Sequence, residues 1–227
     1  VPFFRRYVTG GDSHRVQLAG GLGSAVIGRQ HDQHVLQSDA LVDEGVIKAL
    51  YAASGAGVRV DLIIRGACAL RPGVPGLSDH IRVRSILGRF LEHHRVWYFG
   101  NGGDPDVWLS SADWMGRNLF KRIEVAFPVR DPALKRRVID EGLFCYLKDN
   151  RDAWELQPDG RWQKVVPRRG ARPRSAQEEL LARLSTVADP DAALAGLARV
   201  LDASTHPEGL LAALGADAAY ADRVFAV

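Results

Sequence analysis

The sequence predicts an α/β fold: a layered mixed sheet flanked by helices, with a small α-helical appendage at the C-terminal end. Three observations carry this. Val58–Ile64 is a near-continuous apolar run, the pattern of a strand buried on both faces. It follows directly on a helical pattern from Asp43 to Ser54, and helix alternating with strand is the order of a layered α/β domain. Farther on, Ile81–Ile86 and Arg95–Phe99 alternate and are rich in β-branched or aromatic residues, as half-buried strands are.

The elements follow in chain order. Residues 1–38 are unassigned: periodicity is weak, glycines are scattered, and only Ser24–Ile27 reads as a short strand, so a solvated or disordered stretch is expected. His31 and His34 are three apart but lack a third ligand at metal-binding spacing. The helix from Asp43 has that residue as N-cap, with Val42, Val46, Ile47, Leu50 and Tyr51 on one side, and Gly55-Ala56-Gly57 ends it. After Val58–Ile64 comes a long loop, Ala67 to His80, with two Pro-Gly-type turns. Asn101 to Pro105 is a turn leading to a third strand, Asp106–Ser110. Another strand, Ile123–Phe127, is closed by Pro128. Pro132 to Lys148 reads as one helix, with Pro132 in its first turn and Leu134, Val138 and Leu147 facing the core. Trp154–Leu156 and Arg161–Val165 form a hairpin across Pro158-Asp159-Gly160, its tryptophans expected to pack across the strands rather than stack on bases. These elements make up a domain at 39–167.

A basic, proline-bearing linker occupies 168–174, and an Ala- and Leu-rich appendage occupies 175–227. The appendage opens with the capping-box pattern Ser175-Ala176-Gln177-Glu178 and a helix to about Val187, then further short helices at Asp189–Leu201 and Pro207–Leu214.

Composition bounds the function. Hydrophobic content of 46% with 25% charged residues in 227 residues is that of a globular protein with one substantial core. The net charge of +3 is mild and gives no reason to expect a nucleic-acid partner. Two cysteines, Cys68 and Cys145, supply neither a disulfide framework nor metal spacing and fit a reducing, cytoplasmic setting. No apolar run reaches the roughly 18 residues of a membrane span, and no signal peptide is visible. The chain begins with Val1 rather than methionine, so a fragment is expected. No Walker loop, dinucleotide fingerprint or zinc framework is present.

Chemistry gathers between Ile81 and Leu119. Arg82 and Arg84 project from one strand face, and Arg89, Arg95 and Arg117 follow. Arg65 ends the buried strand, where ligands of open α/β sheets collect, and Arg71 sits in the next loop. A guanidinium grips phosphate at two points, so this row suits a linear polyanion; a solvated basic face is the competing reading. His93 lies among these arginines, with Glu92 beside it to orient it or to be solvated. Ser110, Ser111 and Asp113 arrive from the third strand, Asp113 either holding His93 or an arginine or capping a helix from Trp114.

His93-His94-Arg95 followed by Ser110-Ser111-Ala112-Asp113-Trp114 resembles the second half of a phospholipase D-type site, with arginine in place of that family's lysine. A longer likeness runs from about Asp39 to about Val166. The runs Ala40 to Glu44, Leu62 to Gly66, Leu70 to Ser78 and Arg89 to His93 resemble the C-terminal catalytic domain of bacterial polyphosphate kinase, itself of phospholipase D-like fold. Upstream, Leu36-Gln37-Ser38-Asp39 departs from the family's Lys-Met-Asn-like stretch.

The resemblance implies reversible transfer of the ATP terminal phosphate to inorganic polyphosphate. It implies ATP and ADP as ligands, magnesium bound through an upstream domain, a homo-oligomer, and a cytoplasmic setting with membrane association left open. It implies Arg65 and His93 as nucleotide contacts and His93 as the catalytic histidine of this domain, stabilising charge on the phosphates. Arg71, Arg82, Arg84, Arg89, Arg95, Ser111 and Arg117 are the further phosphate candidates. The histidine that becomes phosphorylated belongs to the preceding domain and has no counterpart here, so the chain alone is expected to be a poor catalyst or none. The alternatives are a phospholipase D-type phosphodiesterase using His93, and a non-catalytic polyanion-binding module.

Overall fold

The computed structural model describes residues 32–187. Its centre is one sheet of eight strands: β1 (Gln33–Ser38), β2 (Arg59–Ile64), β3 (Ile81–Ile86), β4 (Val96–Phe99), β5 (Asp106–Ser110), β6 (Ala126–Pro128), β7 (Ala153–Leu156) and β8 (Trp162–Lys164). Their spatial order is β6-β5-β4-β1-β2-β3-β7-β8. β1, β2 and β3 run parallel, while β4 is antiparallel to β1 and every pair farther out is antiparallel. The sheet is therefore mixed, as expected.

β1 lies within the stretch that the sequence left unassigned. It is the central strand, buried at five of its six positions. His34, Gln37 and Ser38 alternate with Val35 and Leu36 too irregularly for a period to show. The strand is made by pairing with β2 on one side and β4 on the other. His34 packs edge-on against Phe99, ring centroids 5.2 Å apart, in the interior. The strand read at Ser24–Ile27, His31, and the helices read at Asp189–Leu201 and Pro207–Leu214 lie outside the described residues.

Helix α1 (Glu44–Gly55) crosses one face of the sheet. Asp43 caps it as expected, its carboxylate accepting from the Val46 N–H at 3.0 Å. Val46, Leu50 and Ala53 recur on one stripe and pack into a core built by Leu36, Leu62, Ile64, Ile81, Val83, Trp97 and Trp114. Trp97 is 2% exposed and tilts against Trp114 at 5.8 Å.

The expected helix from Pro132 to Lys148 is present as one continuous helical run that widens in its middle. α2 spans Pro132–Ile139, a wide π-helical turn continues it over Asp140–Phe144, and a last single α turn, α3, spans Cys145–Leu147. Gly142 lies in the wide turn, where helix propensity is lowest, and its carbonyl lies 3.0 Å from Nε2 of His94. Leu134 is exposed, and Leu143 and Tyr146 turn inward instead. β6 also starts later than expected, leaving Ile123 79% exposed before it. The hairpin formed by β7 and β8 stands as expected, with Gly160 at φ 87° in its turn.

The final described helix, α4, spans Ala176–Val187. Residues up to Glu179 make one compact unit, and Leu180 begins another. The start of α4 belongs to the first unit. Ser175, Ala176 and Gln177 are buried, and the Ala176 N–H donates to the Asp149 carboxylate at 2.7 Å.

Candidate phosphate site

Sheet direction decides which strand ends meet. β1 and β2 are parallel, so Asp39 and Arg65 emerge side by side. β4 runs the other way beside β1, so its entry residue, Arg95, comes to the exit of β1. β5 returns antiparallel to β4, and the Ser110 N–H donates to the Arg95 carbonyl at 3.1 Å, which brings Asp113 to the same edge. Gly66 allows the closest approach: its N–H donates to the Asp39 carbonyl at 2.8 Å, and a Cβ there would lie 3.1 Å from that oxygen.

One carboxylate oxygen, Oδ2 of Asp39, is the hub. Arg65 reaches it at 3.0 Å, Arg95 at 3.1 Å and Nε2 of His93 at 3.2 Å. Arg95 also makes a two-point pair with Asp113, at 2.9 and 3.0 Å. The other end of its guanidinium donates to the His93 carbonyl at 2.8 Å and lies 3.2 Å from Nδ1 of the ring. Asp113 further accepts from the Asp39 N–H at 3.1 Å and the Ser38 hydroxyl at 3.2 Å. Of the two readings open for Asp113, the structure shows the arginine-holding one.

The side chains divide by exposure. Arg95 and Asp113 are 9% and 5% exposed, whereas Arg65 is 30% and His93 64% exposed. The site thus has a buried ion-pair floor and an accessible face of Arg65 and His93. Among the described residues, Nε of Arg65 has no hydrogen-bond partner.

Burial pushes the Asp113 carboxyl up, but the Arg95 pair, the Asp39 N–H and the Ser38 hydroxyl outweigh it and hold it below the usual carboxylate range. Burial pulls the Arg95 guanidinium down, and the carboxylates of Asp113, Asp39 and Glu124 more than reverse that. Glu92 follows the same pattern: burial raises it, and hydrogen bonds from His94, Gln177 and Tyr146 bring it below its usual range.

These directions fix an acid response. Carboxyls depressed in the folded state stabilise it fully above their ordinary values of 3.8 (Asp113) and 4.5 (Glu92), and that stability goes as pH falls through the lower folded values. The melting temperature is expected to fall below about pH 4.5. In Glu92→Gln the drop should be shallower, and an equally steep drop would rule out that carboxylate.

The other arginines are elsewhere. Arg84 donates to the carbonyls of Tyr146 at 3.0 Å and Leu147 at 2.6 Å and pairs with Glu155 at 2.8 Å, so it terminates α3. Arg71 donates twice to the Pro158 carbonyl, at 3.1 and 2.5 Å, joining the long loop to the hairpin turn. Arg89 lies over the Phe90 ring at 5.4 Å, and Arg82 is exposed beside Asp61 in register. Ser111 donates to Glu124 at 2.5 Å, and Glu124 also accepts from Asn118 at 2.6 Å. Arg117 is exposed, 3.4 Å from the Asn118 amide oxygen. Sequence reasoning missed Asp39, the hub, and Glu124. The available signal for Asp39 was an acid at the end of an apolar stretch before a helix.

The family model of the polyphosphate kinase C-terminal domain 2 matches residues 27–177, beginning upstream of Asp39 and taking in β1. Polyphosphate kinase of Burkholderia cenocepacia (strain HI2424) is 60% identical over 149 residues, which is 66% of this chain and 21% of that protein. Its counterpart in Paraburkholderia phytofirmans is 55% identical over the same length. The chain therefore spans about a fifth of the length of the curated relatives it matches. Among solved structures, polyphosphate kinase from Porphyromonas gingivalis superimposes with a TM-score of 0.69 at 39% identity, over 74% of this chain and 26% of that one. The chain belongs to the polyphosphate kinase family, and residues 27–177 are its second C-terminal domain.

Proposed function

We propose that this domain grips the terminal phosphates of ATP, and of the polyphosphate chain that exchanges phosphate with it, through Arg65 and His93. The observation that carries the reading is the convergence of Arg65, His93 and Arg95 on one oxygen of Asp39 at strand ends. Arg95 and Asp113 form the floor and hold His93 by its backbone carbonyl and ring. Two arginines and two carboxylates leave the cluster near neutral, so an arriving phosphate competes with Asp39 for Arg65 and His93. Such preformed donors stabilise charge on a transferring phosphoryl group without reorganising during the step. The phosphorylated histidine, the acceptor end of the chain and any assembly into oligomers belong to the longer enzyme.

Magnesium does not fit here. Among the described residues no group of three or more histidines, cysteines or acids could hold a metal ion. Asp39 and Asp113 already face arginines. No step of this reading passes through a metal held by this domain.

Calorimetric titration with Mg-ATP and with short-chain polyphosphate tests the proposal. Arg65→Ala and His93→Ala should each weaken binding about tenfold to a hundredfold, the worth of a hydrogen bond to a charged group. Affinity should also fall as salt rises. Unchanged affinity in both folded variants would remove the assignment.

A further inference from the structure

We infer that Gln177, in the first turn of α4, is a positioning residue for His93. Its functional consequence rests on the phosphate role proposed for His93, while its geometry stands independently.

His93 is carried by residues 87–95, a segment with no regular secondary structure. This segment leaves β3 and enters β4, and β2 and β1 lie between those strands in the sheet. It must therefore cross three strand spacings, about 14 Å, over the carboxyl ends where the site lies. An irregular crossing of this kind needs partners from outside, because it has no ladder of its own.

Gln177 supplies them. Its amide oxygen accepts from the Phe90 N–H at 2.8 Å, and its amide nitrogen donates to the Phe90 carbonyl at 2.8 Å. A side-chain carboxamide here makes the two bonds that a neighbouring strand would make. The same nitrogen donates to Glu92 at 2.5 Å. Glu92 lies 3.3 Å from Nδ1 of His94, whose other nitrogen is 3.0 Å from the Gly142 carbonyl. Both neighbours of His93 are thus tied inward, which leaves the His93 ring on the open side against Asp39 and Arg95.

Gln177 is 6% exposed and its platform is fixed by Ala176 on Asp149 and by the Arg174–Glu179 pair. Gly88 completes the arrangement, since a Cβ there would run into the Gln177 carboxamide. A glutamine serving only to satisfy buried Glu92 would not need the pair of bonds to Phe90.

The test is amide hydrogen exchange across residues 88–94 of the 227-residue chain, in wild type, Gln177→Ala and Gly88→Ala. Both variants should exchange about tenfold or more faster in this segment, with the amides of β2 unchanged. Gly88→Ala displaces the amide without removing it and stands in should Gln177→Ala fail to fold. A second arm measures tripolyphosphate binding. Gln177→Ala should weaken it about tenfold, and the effect should vanish in a His93→Ala background, because coupled residues are non-additive. A contact that merely stabilised the domain would cost the same in both backgrounds. Unchanged exchange in folded variants, or equal losses in both backgrounds, overturns the inference. Should wild type not bind tripolyphosphate, the phosphate reading fails, and exchange alone decides the positioning.

Discussion

Arg95→Ala is expected to lower the free energy of unfolding by about 3–5 kcal/mol, the cost of breaking a buried ion pair from one side. Arg95 joins Asp39 to Asp113, and both carboxylates are nearly buried. Without it, Asp113 keeps, among the described residues, the Asp39 N–H and the Ser38 hydroxyl, and no cation faces its charge in the interior. Asp39 keeps Arg65 and His93. Protonation of Asp113 would relieve part of the penalty, so the variant should recover some stability as pH is lowered, opposite in sign to wild type. Arg95→Lys returns the charge but not the planar fork and should restore only part of the loss. Urea unfolding at pH 7 and pH 4 checks both statements. A loss below about 1 kcal/mol would mean that the floor of the site is no more than a surface pair.

Arg84→Ala should cost about 3 kcal/mol while leaving phosphate affinity unchanged. A charged donor facing carbonyls at the end of α3 satisfies acceptors that the helix cannot. Each acceptor left unpaired costs about 1–3 kcal/mol, and the half-exposed Glu155 pair adds little. The same substitution separates two readings of the β3 arginines. If Arg84 met a polyphosphate chain, binding would weaken with stability nearly intact. The structure predicts the reverse, and calorimetry beside thermal unfolding distinguishes them.

The parts of the fold that could be read from residues were those with local signals. The buried run of β2, the alternation read for β3 and β4, the Asp43 cap and the glycine turn of the last hairpin each depend on a few neighbouring residues. β1 escaped because its strand character comes from pairing on both edges, and Gln37, Ser38 and Asp39 disguise its carboxyl end. The widening of the helix after Ile139 was invisible for a related reason. His94, some fifty residues earlier, faces a carbonyl in the widened turn.

The site divides along the same line. The amino-acid sequence alone determined the family and the layered α/β class, because strand patterns and motif residues are written along the chain, and the family resemblance pointed to Arg65 and His93. Tertiary structure decided which cations share the Asp39 carboxylate. Arg65, His93 and Arg95 lie up to thirty residues apart and meet only because β4 runs antiparallel to β1. Arg71 and Arg84 share the same composition and neighbourhood in sequence, yet they face the carbonyls of a hairpin turn and a helix end. A guanidinium binds whatever acceptors the fold sets before it, and which acceptors those are is a property of strand direction and packing.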